Sequence, residues 1–367
     1  MKANSFHDCI QVALGLDPAD LVIVNARLLN VFTGEILPDQ TISVKGRWIA
    51  SVGSFPSHDM VGEKTKVIDA SGSTVIPGLI DAHTHIYGQF FEPIDFLNRI
   101  IPSGITTLVT EIQEPAFIAG KKGFFELTRI LRDQPLKVFF LAPPLLSISP
   151  HVAPLSVDSA VELLREEDVL GLGESYWQLV VNYPDMIKSV MQETLHRKKT
   201  LEGHSAGARG HKLNAYCSTG ITSCHESISA AEVVERLRLG FRVMIREGSI
   251  RRDLEQIVLN LDFKEIDPRQ LILVTDSVSP SDLLERGSLE FALQKAIDMG
   301  IDPVTAVRMV TLNPAEHFGI HPWVGGIAPG RHADMMIIPD LRTIRAEYVI
   351  SQGAVIARQQ KKLIGAR

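Results

Sequence analysis

Eight short apolar runs occupy the middle of the chain, and longer amphipathic stretches separate most of them. The runs are "GLIDAHTH" ending at His85, "ITTLVTE" (Ile105 to Glu111), "LKVFFLA" (Leu136 to Ala142), "VLGLGE" (Val169 to Glu174), "TLEGH" (Thr200 to His204), "ITSCH" (Ile221 to His225), "FRVMIRE" (Phe241 to Glu247) and "LILVTD" (Leu271 to Asp276). Continuous apolar runs of this length read as strands buried on both faces. The stretches between them read as helices. In "SAAEVVERLRLG", Ser229 is placed to cap, Glu232 follows three residues later, and Gly240 ends the turn. Eight β–α alternations over about 250 residues predict a TIM barrel. Alternation alone leaves a doubly wound sheet open.

The two ends carry a different pattern. "ADLVIVNARLLNVFTGEI" and "TISVKGRWIASVG" are short strands divided by polar, Gly-containing turns. A similar set, "ADMMIIPD", "AEYVISQG" and "AVIARQ", follows Gly330. Chain termini often lie close together, so these clusters are expected to pair. The expected fold is therefore α/β: a TIM (β/α)8 barrel with a small β-sandwich built from the N- and C-terminal segments. The expected boundaries are 1–74 and 323–367 for the sandwich and 75–322 for the barrel.

Polar residues sit where such a barrel performs its chemistry, at the C-terminal ends of its strands. In "VIPGLIDAHTHIYG" the first run closes in His83 and His85. Alternate residues on a strand share a side, which puts these rings about 7 Å apart along the backbone. Glu174, His204, His225 and Asp276 close four further runs. One such ending has an ordinary explanation, an N-cap or a satisfied core histidine. Six metal-ligand types at five strand ends converge on one rim. The set is nitrogen and oxygen only, which suits Zn, Mn or Fe. It exceeds the needs of one tetrahedral ion, but two ions bridged by Glu174 and a hydroxide use all six. Such a site makes a nucleophile from water, and Asp276 is placed to pass a proton to a leaving nitrogen. The expected chemistry is hydrolysis at an electrophilic carbon, with Asp276 and Glu174 catalytic.

Composition narrows the partners. The 367 residues are 45% hydrophobic and 22% charged, with a formal net charge of −6. No long basic run favours nucleic acid or an anionic membrane. Three cysteines, Cys9, Cys217 and Cys224, show no CxxC spacing. No signal-peptide pattern and no run of 18 apolar residues is read, so the cytoplasm is expected. The expected partner is a small-molecule substrate, and a homo-oligomer is expected.

Taken together these blocks resemble the amidohydrolase superfamily, and within it the bacterial adenine deaminases. "PGLIDAHTH" is similar to the strand-one metal motif. "GLGE" resembles the variant in which a glutamate replaces a carbamylated lysine. "LEGHSAGARGHKLNAYCSTGITSCHES", "VMIREGS" and "TLNPAEHFGI" resemble further blocks. The resemblance implies His83, His85, Glu174, His204, His225 and Asp276 as ligands of two divalent ions, usually Mn or Fe. It implies deamination of adenine or a related 6-aminopurine. The chain also departs from the pattern. "EIQE" stands where Asp-Pro-His-Glu is usual, so Gln113 holds the histidine position. "TDSVSP" puts Ser277 and Ser279 at an Asp and a His position, and Cys224 replaces an aspartate. Typical members carry a further C-terminal domain, so the chain reads as a short form. Glu111, Gln113, Arg246, Glu247, Ser277 and Ser279 are candidate substrate contacts. A buried ion pair for Arg246, or a helix start near Glu111, is the structural alternative. The altered rim also admits a cyclic amide or another N-heterocycle as substrate, and a non-catalytic metal-binding relative is a third reading. Tyr176 and Trp177 are placed to line the pocket mouth. His151, His211, His317, His321 and His332 read as surface or core residues.

Overall fold

The structure is a computed structural model that describes residues 3–86, 92–144, 155–182 and 184–367; His151 lies outside the described residues. Five strands come first: β1 (Leu21–Leu29), β2 (Ile36–Lys45), β3 (Trp48–Gly53), β4 (Lys66–Asp69) and β5 (Thr74–Pro77). The eight central runs are all strands: β6 (Leu79–His85), β7 (Ile105–Glu111), β8 (Lys137–Ala142), β9 (Val169–Tyr176), β10 (Thr200–His204), β11 (Ser223–Cys224), β12 (Arg242–Arg246) and β13 (Leu271–Val274). Four follow: β14 (Met335–Ile338), β15 (Tyr348–Ser351), β16 (Ala354–Arg358) and β17 (Lys361–Lys362).

The central strands form the expected barrel. They run in the order β10-β9-β8-β7-β6 and β11-β12-β13. A parallel bridge between Thr84 and Asp276 joins the first strand to the segment after the last. It is carried by His85 N–H to Asp276 C=O and Asp276 N–H to His83 C=O, both 2.9 Å. At the other seam, the Gly203 N–H donates to Ser223 Oγ at 3.3 Å. All seven residues of β7 and all four of β13 are buried; β13 is apolar throughout, whereas β7 buries three threonines and Glu111 as well. The capped helix is as read: Ser229 Oγ accepts from the Glu232 N–H, and Gly240 adopts a left-handed φ of 82°.

The terminal strands share one nine-stranded sheet, in the order β17-β16-β15-β14-β5-β1-β2-β3, with β4 also on β1. The join is antiparallel pairing of β14 with β5, from Met335 opposite Pro77 to Ile338 opposite Thr74. One apolar core of the sheet includes Ile23, Leu28, Ile42, Val75, Met335 and Ile350, and a smaller one gathers Val12, Val22, Ala50 and Met60. This is the small sandwich expected from the two ends. Close contacts group the chain into two units, one of Met1–Ile80, Leu97–Thr107 and Leu289–Ala366, the other of Asp81–Phe96, Leu108–Ser288 and Arg367. The sequence division at 74 and 322 stands as a proposal. Among the described residues no helix is long and apolar enough to cross a membrane.

Two hairpin turns meet in this sheet. A Cβ on Gly353 would lie 2.0 Å from the Gly46 carbonyl oxygen, whereas one on Gly46 would meet nothing within 4 Å. Both residues have left-handed φ, 80° and 55°. Gly46→Ala is therefore expected to cost only the conformational penalty, about 1–2 kcal/mol. Gly353→Ala adds a backbone clash and is expected to cost about 3 kcal/mol or more. Denaturant midpoints check this, and equal losses would show that the two turns do not approach as described.

Candidate metal centre

The centre is built at the strand ends. On β6, alternation sends His83 and His85 to one side, and their rings lie edge to face with centroids 5.2 Å apart. Two residues earlier, buried Asp81 accepts from Thr275 Oγ at 2.6 Å and ties β6 to the end of β13. Burial pushes the Asp81 carboxyl up to about 6, against the pull of those hydrogen bonds. Just past β13, Asp276 takes a left-handed φ of 62°. That conformation is costly for a non-glycine residue and tolerated best by Asp and Asn. It is held by the two backbone hydrogen bonds to His83 and His85.

Four imidazoles converge on one carboxylate oxygen. Glu174 Oε1 lies 3.6 Å from His83 Nε2, 3.8 Å from His85 Nε2, 3.4 Å from His204 Nδ1 and 2.9 Å from His225 Nε2. Asp276 Oδ1 lies 3.3 Å from His83 Nε2 and 3.5 Å from His85 Nε2. Donor atoms of His83, His85, Glu174 and Asp276 all fall within 4.8 Å of one another, as do those of Glu174, His204 and His225. Ligands about 2.1 Å from a tetrahedral ion stand about 3.4 Å apart. Most of these separations match that edge and exceed an ordinary hydrogen bond. Buried His83 Nε2 makes no well-directed hydrogen bond despite its carboxylate neighbours. A buried donor atom so placed is what a cation coordination site requires. The residues fit divalent metal binding, with Glu174 common to both donor groups.

The charges lean the same way. Burial opposes a charged His83, but the Asp276 and Glu174 carboxylates prevail and push it up to about 10. His85 is raised well above its usual value by the same balance. His225, by burial and then by the charge on His83, is pushed down to about 4. Burial raises Glu174 and Asp276, yet the surrounding imidazoles hold both well below the usual carboxylate range. Without metal, protons on imidazole take the place that cations would occupy.

Of the remaining sequence candidates, Glu111, Gln113, Tyr176 and Arg246 reach Glu174 or Asp276. Glu111 is buried at the end of β7, and its Oε1 accepts from the Glu174 N–H at 3.1 Å. Burial, then the nearby Glu174 charge, pushes it up to about 8. Gln113 Nε2 donates to Glu174 Oε2 at 2.8 Å. Arg246 forms the buried ion pair, but its partners are Glu226, by a short contact from Nη1, and Asp253, 2.9 Å from Nε. Its Nη1 also stands 3.5 Å from Asp276 Oδ2. The buried Glu247 bridges Arg252 through the backbone. Ser277 is buried, and its carbonyl accepts from the Ser249 N–H at 2.7 Å. Ser279 caps the helix Pro280–Glu285 by accepting from the Asp282 N–H. The Tyr176 hydroxyl lies 3.4 Å from Glu174 Oε2, and Trp177 Nε1 donates to the Ala206 carbonyl. The Cys224 thiol meets Ser205 Oγ at 2.8 Å and accepts from the Glu226 N–H. His211 and His321 are exposed, His317 packs on Phe318, and His332 packs on Trp48.

Sequence reading missed Glu226. Its Oε1 stands 3.4 Å from His225 Nε2 and 3.8 Å from His204 Nδ1. The available signal was its place directly after His225 in "TSCHES", beside a buried arginine that needed an acid.

Comparison with known proteins gives the family. The model of the amidohydrolase family matches residues 74–356. An adenine deaminase from Listeria monocytogenes is 35% identical over 356 residues, which cover 95% of this chain and 59% of that protein. The chain thus spans about three fifths of the length of the curated relatives it matches. Among solved structures, N-acetylglucosamine-6-phosphate deacetylase from Pasteurella multocida superposes with a TM-score of 0.70 at 15% identity, over 92% of this chain and 100% of that one. A β-aspartyl dipeptidase from Fervidobacterium islandicum gives 0.69 at 15% identity, over 93% and 98%. At such identities the structural likeness concerns the fold. With the family model spanning both the barrel and the terminal sheet, the chain belongs to the amidohydrolase family.

Proposed function

We propose that the protein is a metal-dependent hydrolase of C–N bonds that deaminates a 6-aminopurine, with adenine and water giving hypoxanthine and ammonia. The convergence of four imidazoles and Asp276 on Glu174 carries this reading, and the curated relatives named adenine deaminase support its substrate class. His83, His85, Asp276 and Glu174 would hold one divalent ion, and Glu174, His204 and His225 the other, with Mn or Fe preferred to Zn. When bound, the ions supply a water that ionises near neutral pH. Asp276, held ionised, accepts a proton from the attacking water and returns it to the departing amine. One C–O bond forms at the ring carbon, the exocyclic C–N bond breaks, and ammonia leaves. Glu111, Arg246, Glu247 and Ser277 are kept as proposed substrate-side residues, whereas the Gln113 and Ser279 side chains are engaged by Glu174 and a helix end. Cytoplasmic residence and a homo-oligomeric state are proposals of the same standing.

A second reading changes the bond to a cyclic amide or another N-heterocycle. Ser279 favours it: the hydroxyl at the usual histidine position is engaged as a helix cap, with Asp282 and Ser249 as partners. A hydroxyl is a feeble acid near neutrality.

Three outcomes check these readings. The purified protein should hold close to two divalent ions per chain, and His83→Ala or His204→Ala should lose them. Elemental analysis after growth in supplemented medium decides this, and an absence of transition metal from the wild type would refute it. Glu174→Gln removes a negative charge between two cations. Occupancy of one ion should fall while the thermal midpoint of the metal-free protein stays near that of the wild type. Full occupancy with full activity would show that Glu174 is not shared. For the substrate, metal-loaded protein should release ammonia from adenine with kcat/KM below about 10⁵ M⁻¹s⁻¹, because a lost acid or base at the rim costs roughly 10²–10⁴-fold. A higher value would show the altered rim to be harmless. No ammonia from any 6-aminopurine, with turnover of a cyclic amide, would establish the second reading instead.

A further inference from the structure

Gln113 begins the helix Gln113–Leu131 just after β7, a position from which the sequence suggests a substrate contact. Its side chain is instead turned inward. The residue is 9% exposed, and its Nε2 lies 2.8 Å from Glu174 Oε2. In this contact the Gln113 amide presents its NH₂ and the Glu174 carboxylate oxygen accepts. The Tyr176 hydroxyl stands 3.4 Å from the same oxygen. The other oxygen, Oε1, is the one on which His83, His85, His204 and His225 converge.

The backbone beneath Glu174 is fixed as well. Its N–H is held by Glu111 Oε1. A Cβ on Gly173 would lie 2.1 Å from Glu111 Oε2, so this approach requires glycine. What is left to Glu174 is rotation of its side chain, and the last torsion of a glutamate is broad and roughly two-fold. Unrestrained, its two oxygens would exchange places or both turn toward the histidines.

We propose that Gln113 is a positioning residue. It pins Oε2 of Glu174, so that Oε1 alone serves the imidazole cluster and the ions held there. This rests on the two-ion reading given above. The histidine-to-glutamine departure from the family pattern thereby acquires a role: a neutral donor to the shared carboxylate. Outer hydrogen-bond partners of metal ligands typically govern affinity by about 10–100-fold.

The test uses the full chain, stripped of metal and titrated calorimetrically with Mn²⁺. Gln113→Leu keeps the volume and removes the donor; Gln113→His restores an N–H. Gln113→Leu should weaken the second equivalent about 10-fold or more, and Gln113→His should recover most of that loss. Wild-type affinity in Gln113→Leu, or equal losses in both variants, would overturn the proposal in favour of packing. A second readout needs neither metal nor these variants. In glutamine-labelled, metal-free protein, the Gln113 side-chain amide should resonate downfield, and Glu174→Ala should return it to the ordinary amide region. A resonance that ignores Glu174→Ala defeats the proposal. A wild-type titration short of two equivalents defeats the two-ion reading, and the amide resonance still decides the contact.

Discussion

Glu174 Oε1 is the point on which the candidate centre depends. Four imidazoles approach it within 3.8 Å, a crowding that no neutral packing would favour. Burying a carboxylate costs several kcal/mol unless charge and hydrogen bonds compensate. Here His83 and His85 compensate it by holding protons, while His225 is driven neutral. The arrangement is a balance of charges at fixed positions, and divalent cations satisfy it more fully than shared protons do.

The barrel exists in a form that makes this balance possible. Thr84 pairs with Asp276, and the same two backbone hydrogen bonds that close this seam set His83, His85 and Asp276 side by side. Asp276 has a left-handed backbone at that point, and the closure holds it there. Its carboxylate is divided, with Oδ1 toward the histidines and Oδ2 toward Arg246. Glu174 is divided in the same way, with Gln113 on its outer oxygen. In each case a donor from the chain occupies one oxygen and leaves the other for the cluster. Mutual restraint of this kind keeps charged groups in register without a bound ion.

Much of this was legible in the sequence because it is periodic. Strands buried on both faces read as continuous apolar runs, and all eight could be counted. The joining of the two ends was expected from their similar clusters of short strands, but the strand that makes the join, β5, lies almost wholly within the span read as barrel. The six ligand-type residues stood out because ionisable groups ended apolar runs. What escaped was anything fixed by cross-strand neighbours. Glu226 looks like an ordinary polar residue until Arg246 is seen beside it. Arg246 and Glu247 are adjacent in sequence, but adjacent residues on a strand face opposite ways. Arg246 paired instead with Glu226, just past β11, and Asp253, at the start of the helix Leu254–Val258. Gln113 and Ser279 were read as rim residues from their positions in motifs. Their side-chain partners, Glu174 and the first turn of a helix, lie in directions that no linear pattern encodes.

The departures from the family pattern share one physical consequence. Gln113, Ser277, Ser279 and Cys224 each stand where the resemblance places a titratable His or Asp. Each is absorbed into the fold: Gln113 by Glu174, Ser277 through its carbonyl by Ser249, Ser279 by a helix end, and Cys224 by Ser205 and the Glu226 N–H. The substitutions remove charge around the cluster while leaving its inner donors in place. The carboxylates that remain about the cluster include Asp276 beside Arg246, Glu226 beside His225, and Glu111 pushed up to about 8 by burial. Each unpaired polar atom buried on binding costs about 1–3 kcal/mol, so fewer titratable groups at a rim favour a ligand that satisfies its own polar atoms. Under the proposed function, the inner histidine and carboxylate set would govern the class of bond that is broken, and these neutral replacements would bear on which ring presents that bond.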